Sequence, residues 1–258
     1  MTVTPPLAPV PVHLSATVLV VRPAPIDRHE TEVLLLQRNH RGTFVAGATL
    51  YPGGALDSDD GRVRTEPHRP GAAGGAGGAG GAVGGAGAGD EGWVAHLRMS
   101  AVAAARECFE EAGVLLAANN DGSWASSSQV SSVASAWAAG SSFSDSVRAV
   151  GLHVPVARFL PWGRWVTPIG ASRRYDTVFF VVAAPAHHEV RVDGVEIVAA
   201  AWWSPAAALE AEAAGELRLV TPTRKTLERL AGYGSFRSLG LNDGGGGAAG
   251  NSGGGDHP

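Results

Sequence analysis

Apolar runs of two kinds divide the chain. "LSATVLVVR" (14–22) and "TEVLLLQR" (31–38) are short and rich in β-branched residues and leucine, and predict two strands joined by the turn-like "PAPIDRHE". "GATLYPGG" (47–54) predicts a further short strand ending in a glycine pair. From Trp93 to Ala112 the spacing is helical, with Gly113 placed as the left-handed residue that ends the helix. Residues 126–140 and 144–152 predict two modest helices, the second with Ser144 and Asp145 as candidate amino-terminal caps. "DTVFFVVAAP" (176–185) predicts a buried strand stopped by Pro185, followed by weaker strands at 188–194 and 195–204 around an Asp-Gly turn. Residues 204–217 and 221–233 predict closing helices, each opened by Ser or Thr and then Pro. Strands, one central helix, more strands and then helices give an α/β (α+β) class, a mixed sheet between helices.

Composition changes this picture in one respect. Residues 71–89 are Gly and Ala apart from Val83, and 241–258 is mostly Gly with Asn, Asp and Ser. Such stretches bury too little apolar surface to offset the entropy of ordering them. The expected organisation is therefore a single domain over 12–235, containing a flexible Gly/Ala-rich insertion at 61–92 and flanked by disordered 1–11 and 236–258. The net charge of −4 is mild and Lys225 is the only lysine; the densest basic pair, Arg173–Arg174, is too short for a nucleic-acid footprint. No apolar run approaches the roughly 20 residues of a membrane span, and the amino terminus has no basic start. Cys108, the lone cysteine, excludes an intrachain disulfide. A soluble, cytoplasmic chain with no nucleic-acid or membrane partner is expected; a homodimer is left open.

The candidate chemistry lies in "AAARECFEEAGVLL" (103–116). Glu107, Glu110 and Glu111 stand at i, i+3 and i+4, so their carboxylates emerge on one helix face, where like charges repel. They also crowd the carboxyl end, where the helix dipole disfavours anions. A solvated charged face is the bland reading of such a cluster. A hard divalent cation, which takes carboxylate oxygens and shares substrate phosphates, is the reading that relieves the repulsion. Arg106 could orient a neighbouring glutamate, and Gly53 and Gly54 would let backbone carbonyls come close to the same ion.

"RECFEEAGV" (106–114) resembles the second half of the Nudix box, and Gly54 with Asp60 six positions on is similar to the first half, with Asp where that family usually has Glu. The stretch between Asp60 and Arg106 is about 38 residues longer than the family's usual spacing and contains the Gly/Ala run. That interruption, with "VLLLQR", "FVAGATLYPGG" and "PWGRWVTPIGASRRYDTVFF" (161–180), resembles the acyl-coenzyme A diphosphatase branch of the "nudix motif nineteen" type. The resemblance implies a Nudix-type α/β/α sandwich and hydrolysis of a small-molecule diphosphate. It implies Glu107, Glu110 and Glu111 as Mg²⁺ or Mn²⁺ ligands, assisted by the Gly53 carbonyl. Arg106 would position Glu107, and Gly113 would permit the turn.

Further candidates are weaker. Arg38, Arg173 and Arg174 are possible phosphate contacts by the match of guanidinium to phosphate oxygens. Glu196 and Glu189 are candidates for an additional acid beyond the box; for each, a solvated charge is the plainer reading. Asp176 is expected to fix a strand entrance, and His187 and His188 to lie in a surface loop. Trp162 and Trp165 could stack on an adenine or pack beneath a loop. Cys108 is expected to be packing. The functional expectation is cleavage of coenzyme A or an acyl-coenzyme A to 3′,5′-adenosine bisphosphate and (acyl-)phosphopantetheine. The alternatives are a pyrophosphatase acting on ADP-ribose or a dinucleotide such as NADH, and a Nudix-fold binding module without turnover.

Overall fold

The computed structural model describes residues 10–41, 45–66, 91–186 and 188–241. The expectations for 1–9, for the Gly/Ala run within 67–90, for His187 and for 242–258 lie outside the described residues. The strands are β1 (Val12–Pro23), β2 (Thr31–Arg38), β3 (Thr49–Leu50), β4 (Gly53–Ala55), β5 (Leu160–Val166), β6 (Arg174–Ala183) and β7 (Ile197–Trp203). The α-helices are α1 (Glu91–Ala112), α2 (Ser127–Ala138), α3 (Phe143–Ala149), α4 (Pro205–Ala213) and α5 (Thr221–Ala231).

The strands form one mixed sheet around β1. Along one edge β1 runs parallel to β6 from Val12↔Arg174 to Val21↔Ala183. Its other edge is divided: β4 pairs with Ser15–Thr17 and β2 with Val21–Pro23, both antiparallel. β5 pairs with β6, and β7 and β3 pair with β2. The period-two pattern of the strands sorts side chains to opposite faces. Ala16, Val18, Val20, Leu34, Leu36, Val178, Phe180 and Val182 pack towards α1, α2 and α3. Leu19, Val21, Val33, Leu35, Phe179 and Val181 pack towards α4 and α5. The result is the expected three-layer sandwich.

α1 is sandwiched rather than amphipathic. Ala101, Val102, Ala103, Ala104 and Ala105 are all essentially inaccessible, and their small side chains let the helix lie close to the sheet, while Phe109 packs against Trp137 of α2 and Phe143 of α3. No described helix is long and apolar enough to cross a membrane.

Several expectations are corrected. Residues 188–194 do not form a strand: Val190 and Val192 pack inward with the expected alternation, but the segment's backbone bonds go to the end of α1 and to its own turn. β5 went unread because Pro161 and Gly163 interrupt its pattern, and the structure absorbs both at a register shift between them. The cap of α3 is Ser142, whose Oγ accepts from the Asp145 amide; Ser144 is buried and donates through its amide and Oγ to Asp59. Ordered structure also passes the expected boundaries. Ser58–Arg62 forms a 3-10 turn, α1 starts at Glu91, and Phe236 and Leu239 pack into the second core around a turn at Arg237–Leu239.

Candidate active site

The pairing of β4 with β1 brings the glycine pair beneath the last two turns of α1. A Cβ on Gly53 would stand 2.5 Å from the Ala16 carbonyl oxygen, and one on Gly54 would stand 2.4 Å from the Glu107 carboxyl carbon. The missing side chain at Gly53 lets β4 lie close to β1, and that at Gly54 leaves room for the Glu107 carboxylate.

Arg106 organises the cluster. Its Nε donates to Asp60 Oδ1 at 2.8 Å and its Nη2 to Asp60 Oδ2 at 3.2 Å and to the Ala55 carbonyl at 2.9 Å. Its Nη1 donates to Glu107 Oε1 at 2.7 Å and to Glu110 Oε1 at 3.4 Å. Asp60, though shorter than glutamate, reaches the guanidinium because the 3-10 turn carries its backbone in. That turn is closed by a capping box in which the Asp57 amide donates to Asp60 Oδ2 at 2.7 Å. Glu111 lies deeper, only 7 % exposed, and its Oε2 accepts from the Gly53 amide at 3.0 Å.

Electrostatics follow burial. Desolvation raises the carboxyl pKa values of Glu107, Glu110 and Glu111, against which Arg106 pulls for the first two and the Gly53 amide for the third. Glu111, with the charge of Glu107 adding to its burial, reaches about 8. For Arg106, burial alone would lower the pKa; the Asp60 hydrogen bonds and the charges of Glu107 and Asp60 override it and push the value up, so the guanidinium is always charged.

A divalent cation fits this donor set. As placed, no three acid, His or Cys side chains among the described residues surround a single point, because Glu107 turns to Arg106 and Glu111 to Gly53. Glu107 Oε2 and Glu111 Oε1 nevertheless accept no hydrogen bond among the described residues. A buried and a part-buried carboxylate with spare oxygens, in a cluster held at raised pKa, are the chemistry that a hard cation satisfies.

The strands beyond bring two more predicted residues to the same place. β2 points Leu34, Leu36 and then Arg38 to the α1 face, and a register shift between Gln37 and Arg38 sets Arg38 opposite Ile197. There the Arg38 Nη2 pairs with Glu196 Oε1. Arg38 is near enough that its charge lowers the pKa of both Glu107 and Glu111. The turn before β7 is fixed by Asp193, a residue the sequence signalled only as an Asp-Gly turn. Its carboxylate accepts from the amides of Val195, Glu196 and Ile197, and its charge raises the pKa of Glu111. The approach to this turn is tied to α1: the Arg191 amide donates to the Ala112 carbonyl at 2.8 Å, and Gly113, at φ +69°, leaves room for the Arg191 backbone.

Other candidates lie elsewhere. Arg174 donates to the Thr167 carbonyl at 3.1 Å, and Arg173 is exposed beside it; neither contacts a glutamate of the cluster. Glu189 pairs with Arg191 at the surface. Asp176 fixes the strand end as expected, taking Arg164 through both oxygens at 2.7 and 2.6 Å. The Trp162 ring packs against Tyr233 and beneath Arg229 in the second core. Cys108 is fully buried, and desolvation holds its thiol far above neutral, so it is packing.

A family model, that of the NUDT19 Nudix domain, matches residues 94–230. Two relatives named acyl-coenzyme A diphosphatase NUDT19 are similar to the chain. The one from Gallus gallus is 30 % identical, covering 84 % of this chain and 65 % of its own length. The one from Homo sapiens is 27 % identical, covering 84 % and 64 %. The chain thus spans a little under two thirds of these relatives. Among solved structures, a Nudix hydrolase from Alicyclobacillus acidocaldarius superposes with a TM-score of 0.67 at 25 % identity, over 89 % of this chain and 96 % of that one.

Proposed function

The chain belongs to the NUDT19 Nudix domain family, and from that premise we propose that it is a divalent-metal-dependent hydrolase cleaving the diphosphate of coenzyme A or an acyl-coenzyme A. The products are 3′,5′-adenosine bisphosphate and (acyl-)phosphopantetheine. The observation that carries the reading is the convergence of Glu107 and Glu111 on the Gly53–Gly54 pair, with Glu110 beside Glu107 on the same buried arginine.

Glu107, Glu110 and Glu111, with the Gly53 carbonyl, would hold Mg²⁺ or Mn²⁺. The ion's contribution, when bound, is to neutralise diphosphate charge and make a water more acidic. The chain's own part is positional. Arg106, anchored on Asp60 and Ala55, keeps Glu107 and Glu110 from rotating apart, and the Gly53 amide keeps Glu111 aimed at the glycine pair. Substrate choice rests on similarity to the curated diphosphatases. An ADP-ribose or dinucleotide pyrophosphatase would use the same glutamates, and a binding module would not need all three.

The test is a substrate panel with millimolar-scale Mg²⁺: coenzyme A, an acyl-coenzyme A, ADP-ribose and NADH, products separated by chromatography. Release of 3′,5′-adenosine bisphosphate, lost in Glu110→Gln and Glu111→Gln, supports the assignment. AMP from ADP-ribose or NADH instead moves the substrate, and no turnover on any of the four overturns the enzyme reading.

A further inference from the structure

Among the described residues, the ion pair between Arg38 and Glu196 is the one charged contact beside the glutamate cluster that the reading above does not use. Its geometry is built in detail. The Arg38 amide donates to the Ala48 carbonyl at 2.9 Å and the next amide, Asn39, to the Glu196 carbonyl at 2.9 Å. The Asn39 side chain also donates to the Val195 carbonyl at 3.0 Å, and Asp193 holds the amides of 195–197 from the other side. Both partners are thus fixed at their backbones. The register shift leaves Val198 as the extra residue of β7 and turns Ile197 into the core, which sets Glu196 at the rim. Bulges beside functional sites commonly re-aim a side chain in this way.

A free arginine at this position would have an alternative to Glu196. Glu107, part-buried, and Glu111, buried, lie on the same side of the sheet, each with an oxygen that accepts no hydrogen bond among the described residues, and Arg38 is close enough for its charge to act on both. An arginine that settled on them would occupy the oxygens a cation needs. In the structure Arg38 pairs with Glu196 instead, and its side chain is 23 % exposed.

We propose that Glu196 is a positioning residue, neither metal ligand nor general base: it holds Arg38 off Glu107 and Glu111 and presents its guanidinium to the substrate's diphosphate. This rests on the reading of the site as a metal-dependent diphosphatase. Arg38 suits the task because its planar fork matches two phosphate oxygens and stays charged at every working pH.

The test is a double-mutant cycle on Mn²⁺ binding, measured by calorimetry in the full chain without substrate, using Glu196→Gln, Arg38→Ala and the double variant. Glu196→Gln, which releases Arg38 towards the glutamates, weakens Mn²⁺ binding roughly tenfold, the scale of losing an outer-shell partner. Arg38→Ala binds Mn²⁺ at least as well as the parent, and the double variant matches Arg38→Ala, because with no arginine to restrain the glutamine change has nothing to act on. In turnover, Arg38→Ala raises KM roughly tenfold, as loss of a charged hydrogen bond would. Parental Mn²⁺ affinity in Glu196→Gln, or a double variant as weak as Glu196→Gln, overturns the positioning role. An unchanged KM in Arg38→Ala overturns the diphosphate contact. If the cycle behaves as expected but the parent cleaves none of the four substrates, the functional reading fails and the positioning role stands.

Discussion

Arg106 grips Asp60 through two parallel hydrogen bonds, Nε to Oδ1 at 2.8 Å and Nη2 to Oδ2 at 3.2 Å, and both side chains are almost wholly removed from water. Removing one member of a buried pair and stranding the other costs about 3–5 kcal/mol; because Arg106 keeps Glu107, Glu110 and the Ala55 carbonyl, the loss of Asp60 falls at or below the lower end of that range. Asp60→Ala should therefore lower the thermal midpoint sharply and also lower kcat, since Glu107 and Glu110 lose a fixed Arg106. Thermal unfolding and steady-state kinetics check this; a variant as stable as the parent would show that the pair is not holding the turn to α1.

The adjacent glycines should fail differently. A Cβ on Gly54 meets the mobile end of Glu107, whereas one on Gly53 meets the Ala16 carbonyl oxygen and, at 2.8 Å, the Thr17 Cα. Gly54→Ala is expected to keep most of its stability and lose metal affinity. Gly53→Ala is expected to unsettle the β1–β4 pairing and unfold several degrees earlier. Circular-dichroism melts with Mn²⁺ titrations separate the two.

Gly113 carries a conformational cost for any other residue. At φ +69° a side chain costs roughly 1–2 kcal/mol from backbone geometry alone, and its Cβ would crowd the Arg191 carbonyl at 3.1 Å. Gly113→Ala should lose about that much stability in denaturant titration. Hydrogen exchange of the Arg191 amide should also accelerate, because its bond to Ala112 closes the helix.

The buried acids give a pH dependence of definite sign. Glu111 is pushed up to about 8 in the folded chain against 4.5 ordinarily, through burial first, with the Gly53 amide opposing and the charge of Glu107 adding, and Glu107 and Glu110 shift the same way. A carboxyl whose pKa is raised by folding favours the folded state fully below about pH 4.5, and that contribution is lost as pH rises through about 8. With chelator present, the thermal midpoint should drop across this window. Glu111→Gln should flatten the drop, and added Mn²⁺ should reduce it. A midpoint that rises from pH 5 to 8 in chelator would contradict the burial of these groups.

How much of this was legible in the sequence depended on how local the signal was. The limits of β2 at 31–38 and the end of α1 at Ala112 followed from side-chain pattern and one glycine. The assembly of Glu107, Glu110 and Glu111 followed from helical spacing. Asp60 could be matched to its position, but its grip on Arg106 depends on a turn whose closure by Asp57 needs three dimensions. β5 was hidden because Pro161 and Gly163 break the alternation that a strand normally shows. Residues 188–194 misled in the opposite direction: Val190 and Val192 alternate because both face the core, although no strand among the described residues pairs with them. The link from Arg38 to Glu196 spans 158 positions, and only the register of β2 with β7 brings them together.

That register has a consequence for how this enzyme family can diversify. Arg106, the glutamates and the glycine pair are tied to one another through α1, β1 and β4, while Arg38 and Glu196 hang from the irregular end of the β2–β7 ladder. A one-residue insertion or deletion at that ladder end would re-aim the guanidinium without disturbing a single bond among the acids. Recognition could then drift across substrates while the glutamate cluster is inherited intact.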